Sequence, residues 1–295
     1  MGTLKLSLLF VIVSLATLPR VEAKPFRAMD TRTAITTGPQ NLELGARYQG
    51  FFGGDDLNSL GYHQLTPSVR FGILEQLELN ISFDVMLLTQ RGSWGVNAYL
   101  GDLPVGLQFT FLDTPVIALG IFGQLTIPVG ASNFERLPFA LQDRIPPSLS
   151  DGTWDAEGSF IIELRPTQNF RVIGNVGYLY NGVRLRPGAG AFDVPDAIKY
   201  DLAATLNLGD RWLLGVEVIG RSYFSPVITP AWTNNQHQLE VVPLMRFEAV
   251  PNFVIEAAVG IGVTPAVGQM YRVRALLGFT YEFDLFKRGH GRRRG

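Results

Sequence analysis

The chain has 295 residues and a formal net charge of −1 at pH 7, and only 17% of its residues are charged. It has no cysteine, which excludes disulfide bonds and thiolate metal sites. The length would allow two soluble domains, but no linker rich in proline or serine and no run of charges divides the chain.

The N-terminus predicts an exported protein. Lys5 precedes an apolar run over residues 6–18, and Ala23 closes a small-residue ending. We therefore expect a signal peptide over residues 1–23. No stretch of the chain approaches the roughly 18 uninterrupted apolar residues of a transmembrane helix. Without a cysteine to carry a lipid at the cleavage site, two destinations remain, the periplasm and the outer membrane of a Gram-negative-type cell.

Apolar and polar residues alternate in about a dozen segments after Gln40. In residues 77–85 the period of two is unbroken, with carboxylates and amides on one face and only apolar side chains on the other. Such a strand separates water from hydrocarbon. We predict twelve strands, near residues 41–52, 63–73, 76–88, 95–112, 115–129, 153–165, 169–181, 196–208, 211–223, 237–248, 252–264 and 270–284.

The connections between these strands alternate between short and long. This alternation is typical of outer-membrane barrels, which have short periplasmic turns and longer external loops. The predicted fold class is all-β, a transmembrane antiparallel up-and-down β-barrel of about 12 strands over residues 41–284. We expect a periplasmic N-terminal segment at residues 24–40 and a basic C-terminal tail at residues 285–295. A soluble β-sandwich is the alternative, in which the aromatic residues near the strand ends would fill the core.

The inward face of the predicted barrel carries more charges than a dry protein core could hold. One interpretation is a water-filled conduit whose charges tune selectivity. The other is a plugged barrel in which the charges pair across neighbouring strands. The lumen-facing candidates are Arg70, Glu78, Asp84, Asp102, Glu163, Arg171, Glu217, Arg221, Glu240, Arg246, Glu256, Arg272 and Arg274.

The longest predicted external loop, at residues 130–152, is itself apolar. We expect it to fold over the mouth of the barrel or into the lumen as a constriction, together with a second loop. Packing of one loop against another, which merely closes the outer end, is the alternative. The constriction candidates are Phe134, Phe139 and Trp232.

Catalytic and metal sites have little support in the sequence. An acyl hydrolase needs a serine and a histidine at hydrogen-bonding distance, with a third group that orients them. Of the three histidines, His237 is the one that can be placed near a serine, either Ser222 or Ser225. The pair Asp55 and Asp56 is more typical of a solvated turn than of a calcium site. We expect no cofactor, no metal site and no enzymatic activity.

Three segments resemble outer-membrane proteins of the meta-pathway of phenol degradation type, a family of outer-membrane transporters. They are residues 34–45 (AITTGPQNLELG), 67–79 (PSVRFGILEQLEL) and 278–283 (GFTYEF). The resemblance implies a barrel that passes small hydrophobic or aromatic compounds, and it brings no catalytic residues with it.

The sequence therefore predicts an outer-membrane channel or transporter for the passive passage of small molecules. A non-conducting barrel with a structural or surface-binding role is the alternative, and an outer-membrane acyl hydrolase comes third. The expected partners are outer-membrane lipids, the barrel-assembly machinery and a small-molecule permeant of unknown identity. We expect no nucleic acid, because the basic tail follows the last strand and so lies in the periplasm.

Overall fold

The computed structural model describes residues 30–52, 60–90, 96–130, 153–186, 190–193, 195–224, 237–264 and 272–285. In these ranges the chain forms strands and turns, and no helix there is long and apolar enough to cross a membrane. The strands are β1 (Asn41–Phe52), β2 (Leu60–Gly72), β3 (Leu77–Ser82), β4 (Val85–Gln90), β5 (Val96–Leu100), β6 (Leu103–Asp113), β7 (Ile117–Ile127), β8 (Asp155–Leu164), β9 (Phe170–Tyr180), β10 (Val183–Arg186), β11 (Gly190–Asp193), β12 (Ala197–Leu208), β13 (Trp212–Tyr223), β14 (His237–Val250), β15 (Phe253–Gly262) and β16 (Val273–Asp284).

The sheet closes on itself, because β1 pairs antiparallel with β2 on one side and with β16 on the other. β3 and β4 together cross the barrel once, and so do β5 and β6. Both β3 and β4 pair with β2 on one side, and on the other side β3 pairs with β6 and β4 with β5. With each of these two pairs counted as one strand, the described strands form a closed antiparallel barrel of twelve strands, which confirms the predicted fold. β10 and β11 pair with each other in a separate two-stranded sheet.

The break between β3 and β4 has a local cause in the neighbouring strand. Phe83 donates its N–H to the carbonyl of Pro67 in β2, at 3.0 Å. Pro67 has no N–H to give in return, so the ladder loses a hydrogen bond at this point. The predicted single strand at residues 76–88 is therefore observed as two short strands with the same course.

Alternation of side chains separates the two faces of the wall. In β6, Leu107, Phe109 and Phe111 are exposed, while Gln108 and Thr110 between them are buried. The same pattern recurs in the other long strands, so the outside is covered with large apolar side chains and the inside with polar ones. An exposed apolar surface this extensive fits contact with lipid.

The two ends of the barrel differ. The connections at residues 73–76, 114–116, 165–169, 209–211 and 251–252 are short and lie at one end, which we call the turn end. The chain also enters and leaves the barrel there, since Leu285 donates its N–H to the carbonyl of Gln40 at 3.3 Å. The strand ends that lead into the longer connections lie at the opposite end, which we call the loop end.

Candidate functional site: the lumen

The lumen contains the chain's own N-terminal segment, which we define as residues 30–38. From the start of β1 the chain turns inward, and Gln40 donates its N–H to the carbonyl of Gly72 at 2.7 Å. Thr31, Thr33 and Ala34 are buried among inward-facing side chains of the barrel. Residues 24–40 are predicted as a periplasmic extension, and the described part of that stretch lies within the barrel instead.

Glu217 of β13 holds the far end of this segment. Its Oε2 accepts hydrogen bonds from the main-chain nitrogen of Asp30 at 2.9 Å and of Thr31 at 2.8 Å. The hydroxyl of Thr31 donates to the same oxygen at 3.1 Å. The Glu217 side chain is 0% exposed, and a buried carboxylate is tolerable only with partners of this kind.

Two more fully buried glutamates hold the rest of the segment. Glu163 of β8 accepts hydrogen bonds from the hydroxyl of Thr33 and from the main-chain nitrogen of Ala34, the latter at 3.2 Å. Glu78 of β3 accepts one from the main-chain nitrogen of Thr37 at 2.6 Å. The three glutamates come from separate parts of the barrel wall, so together they bind the peptide main chain along its length.

Donors on the wall satisfy the carbonyl groups of the segment. Gln108 Nε2 donates to the Thr33 carbonyl at 2.9 Å, and the Thr110 hydroxyl donates to the Ala34 carbonyl. The segment thus exchanges hydrogen bonds with the wall in both directions. This meets the requirement that buried main-chain groups be paired.

Asp30 joins the segment to the charges at the loop-end half of the lumen. Its carboxylate lies 2.7 Å from Arg47 Nη1 and 2.8 Å from Arg274 Nη2. Arg274 also binds Glu240 at 2.8 Å, and it donates to Gln49 Oε1 at 2.7 Å. The charges here are therefore paired with one another, partly through Asp30 of the segment.

Gly72 marks the point where the segment crosses the inner wall. A Cβ atom built on Gly72 would overlap the carbonyl oxygen and carbon of Gly38. Gly38 itself has φ = 83°, in the region that favours glycine. Close approach of the two main chains therefore requires glycine at position 72, and the main-chain conformation favours it at position 38.

A cavity of about 240 Å³ remains beside the segment. It lies between the N-terminal segment and residues of β1–β3, β6, β7 and β14–β16, and its lining is mostly polar. The charged residues that line it are Asp30, Arg32, Glu43, Arg47, Arg70, Arg246 and Glu256.

The structure brings most of the predicted lumen residues together on the inner face. Eight of the candidates are buried there, which are Glu78, Glu163, Arg171, Glu217, Glu240, Arg246, Glu256 and Arg274. Four others are half-buried, which are Arg70, Asp84, Asp102 and Arg221. Arg272 is exposed at the loop end, immediately before β16.

Several other predicted features lie outside the described residues. They include the constriction candidates Phe134, Phe139 and Trp232, the signal peptide at residues 1–23 and nearly all of the basic tail. In the part of the chain that the structure covers, no three histidine, aspartate or glutamate residues form a group that could hold a metal ion.

The serine and histidine that the hydrolase hypothesis requires are close together, but they lie on the outer surface. His237 Nδ1 is 3.0 Å from Ser222 Oγ, and Ser222 donates to the Tyr200 hydroxyl at 3.4 Å. Ser222 is on the same face of β13 as the exposed Leu214. Among the described residues, no carboxylate or amide forms a hydrogen bond with the second ring nitrogen of His237. The pair thus lacks the orienting group of a catalytic triad in this part of the chain.

The N-terminal segment is the feature of the site that sequence reasoning missed. It has no alternating pattern and few charges, so nothing in residues 30–38 alone indicates where it lies. The available signal was indirect. The predicted lumen held several carboxylates on its inner face, and buried carboxylates need hydrogen-bond donors.

A closed antiparallel barrel with an apolar outer wall and a polar, charged lumen defines the class of outer-membrane β-barrels. The chain belongs to the family described as "Putative MetA-pathway of phenol degradation", whose model matches residues 34–266. This match confirms the family resemblance found in the sequence. A comparison with curated proteins finds no match.

Solved structures show the same fold at low sequence identity. The chain is similar to the COG4313 outer membrane channel from Pseudomonas putida F1, with a TM-score of 0.64 and 12% identity over 87% of this chain and 100% of that chain. It is also similar to the NanC porin, with a TM-score of 0.55 and 8% identity over 81% of this chain and 98% of that one. The KdgM porin in complex with disordered oligogalacturonate is similar with a TM-score of 0.50 and 10% identity, over 82% of this chain and 99% of that chain.

Proposed function

We propose that the chain is an outer-membrane channel for the passive passage of small molecules that carry polar groups. The observation that carries this proposal is the cavity beside the N-terminal segment, with its lining of guanidinium and carboxylate groups. A solute that crosses such a lumen must replace its water shell with polar contacts from the wall. The apolar outer wall would contact membrane lipids, and the barrel-assembly machinery would insert the chain.

The chemistry of the lining narrows the permeant that the family resemblance implies. A pure hydrocarbon cannot form hydrogen bonds with Arg47, Arg70 or Glu43, whereas a ring with a hydroxyl or carboxylate group can. The family description names phenol degradation, and phenolic compounds combine a small ring with a polar group. We therefore propose small polar or polar-substituted aromatic molecules as the permeant class.

A planar-bilayer recording of the refolded chain, beginning at Lys24, tests the proposal. We expect discrete current steps that depend on salt concentration and that persist when benzoate replaces chloride. Current that disappears in benzoate would contradict the proposed permeant class. A barrel that is inserted yet silent in every salt, also after the N-terminal segment has been displaced, would overturn the channel function itself.

The second candidate function is a non-conducting barrel with a structural or surface-binding role. The position of the N-terminal segment favours it, because the segment fills part of the lumen and is hydrogen-bonded to the wall at both ends. Silence of the displaced barrel would support this candidate.

A further inference from the structure

We propose that the lumen contains a binding site for an extended peptide main chain, and that the N-terminal segment is its tethered and exchangeable ligand. The proposal rests on the channel function and adds a means of closing it. Its basis is the way in which Glu78, Glu163 and Glu217 bind the segment.

All three glutamates contact main-chain nitrogen atoms of the segment. Main-chain donors are present in any peptide, so these contacts recognise an extended backbone rather than a particular side chain. Two side-chain contacts add selectivity for this sequence, because the hydroxyls of Thr31 and Thr33 donate to Glu217 and Glu163.

Most of the contacts that would have to break are hydrogen bonds and ion pairs. The segment adds to them only the methyl group of Ala34, which packs in a buried apolar cluster with Phe122, and the guanidinium of Arg32, which lies 3.5 Å from the centre of the Phe122 ring. Asp30, Thr31 and Thr33 are polar, and water can solvate both them and the glutamates once they separate. A charge-assisted hydrogen bond contributes only a modest net free energy when water competes for both partners. The segment can therefore leave the lumen without unfolding the barrel.

Gly72 provides a way to displace the segment without changing any charge. The variant Gly72→Ala places a methyl group where the carbonyl of Gly38 lies, so the segment can no longer follow its path. Gly123→Ala is the matched control. A Cβ atom at Gly123 has no other atom within 4 Å, so this variant makes the same substitution in a strand without obstructing the segment.

A single introduced cysteine reports where the segment lies, because the chain has no other. Thr31→Cys in the otherwise unchanged chain should react slowly with a water-soluble thiol reagent. The same cysteine combined with Gly72→Ala should react at least about tenfold faster, which corresponds to about 1.4 kcal/mol. Combined with Gly123→Ala, it should react at the slow rate.

The current through the Gly72→Ala barrel then tests whether the N-terminal segment closes the lumen. We expect a larger conductance than in the unchanged chain or in Gly123→Ala. A peptide of residues 30–36, added at about millimolar concentration to match the effective concentration of a tethered ligand, should reduce that current. This peptide omits Thr37 and Gly38, which the methyl group of the Gly72→Ala variant would obstruct. The same peptide methylated on the nitrogens of Thr31 and Ala34 should reduce the current less, because it loses the main-chain hydrogen bonds of these two residues to Glu217 and Glu163.

The outcomes separate the two proposals. Fast labelling of Thr31→Cys in the unchanged chain, or equal currents in the unchanged and Gly72→Ala barrels when both conduct, would overturn the tethered-ligand proposal. So would equal block by the two peptides. Fast labelling in Gly72→Ala without any current would instead overturn the channel function, while showing that the segment is displaceable.

Discussion

Glu217 and Thr31 are 186 residues apart in the sequence, yet one carboxylate oxygen of Glu217 accepts hydrogen bonds from both the main-chain nitrogen and the hydroxyl of Thr31. This relationship joins the beginning of the chain to the middle of the thirteenth strand. It means that the stability of the barrel and the position of the N-terminal segment are coupled.

The coupling predicts the effect of Glu217→Leu. This variant leaves the main-chain donors of Asp30 and Thr31 without their acceptor, so we expect the free energy of unfolding to fall by about 1–3 kcal/mol. Urea unfolding of the barrel in detergent measures this free energy. The control is the same substitution in a chain that begins at Pro39, where the loss should disappear. An equal loss in both chains would show that Glu217 acts on the barrel alone.

The lipid-facing wall predicts that the free-energy cost of an introduced charge depends on its depth in the membrane. Leu202 lies in the middle of β12 and is 54% exposed, whereas Leu208 ends the same strand at the turn end and is 47% exposed. Leu202→Arg should cost about 2–4 kcal/mol because the charge lies near the membrane midplane, and Leu208→Arg should cost about 0–1 kcal/mol. Unfolding measured in lipid vesicles gives both values. Equal costs at the two positions would contradict the assignment of this face to lipid.

The two ends of the barrel predict which connections are accessible on intact cells. A small epitope inserted after Asn133, in the connection between β7 and β8, should bind an antibody added outside. An epitope after Thr167, in a turn at the turn end, should bind only after the outer membrane is permeabilised. Surface labelling of whole cells makes the comparison, and the opposite result would invert the orientation.

The surroundings of His237 and Ser222 predict that this pair does not catalyse ester hydrolysis. A catalytic serine needs a base held by a third group, and among the described residues no carboxylate or amide holds His237. Ser222→Ala and His237→Ala should therefore leave the hydrolysis of a chromogenic ester in detergent unchanged. Activity that is lost in both variants would restore the hydrolase hypothesis.

Most of the wall could be predicted from the sequence, because each strand carries its own signal. The strand predicted at residues 196–208 is observed as Ala197–Leu208, and the strand at residues 41–52 is observed as predicted. The break at Phe83 and Asp84 was not predicted, since its cause is Pro67 in the neighbouring strand. Pairing partners such as these become visible only when the register between strands is known.

The sequence by itself determined the fold class, the strand order and the two faces of the wall. The physical reason is that the period of two is a local property, and a closed barrel of consecutive hairpins places each strand beside its neighbours in the chain. Only the tertiary structure decided what lies inside. The contacts of Glu78, Glu163 and Glu217 with the N-terminal segment span 41 to 187 residues of sequence. No local sequence pattern predicts such contacts, because the donors of a buried carboxylate are the groups that lie near it in the folded structure.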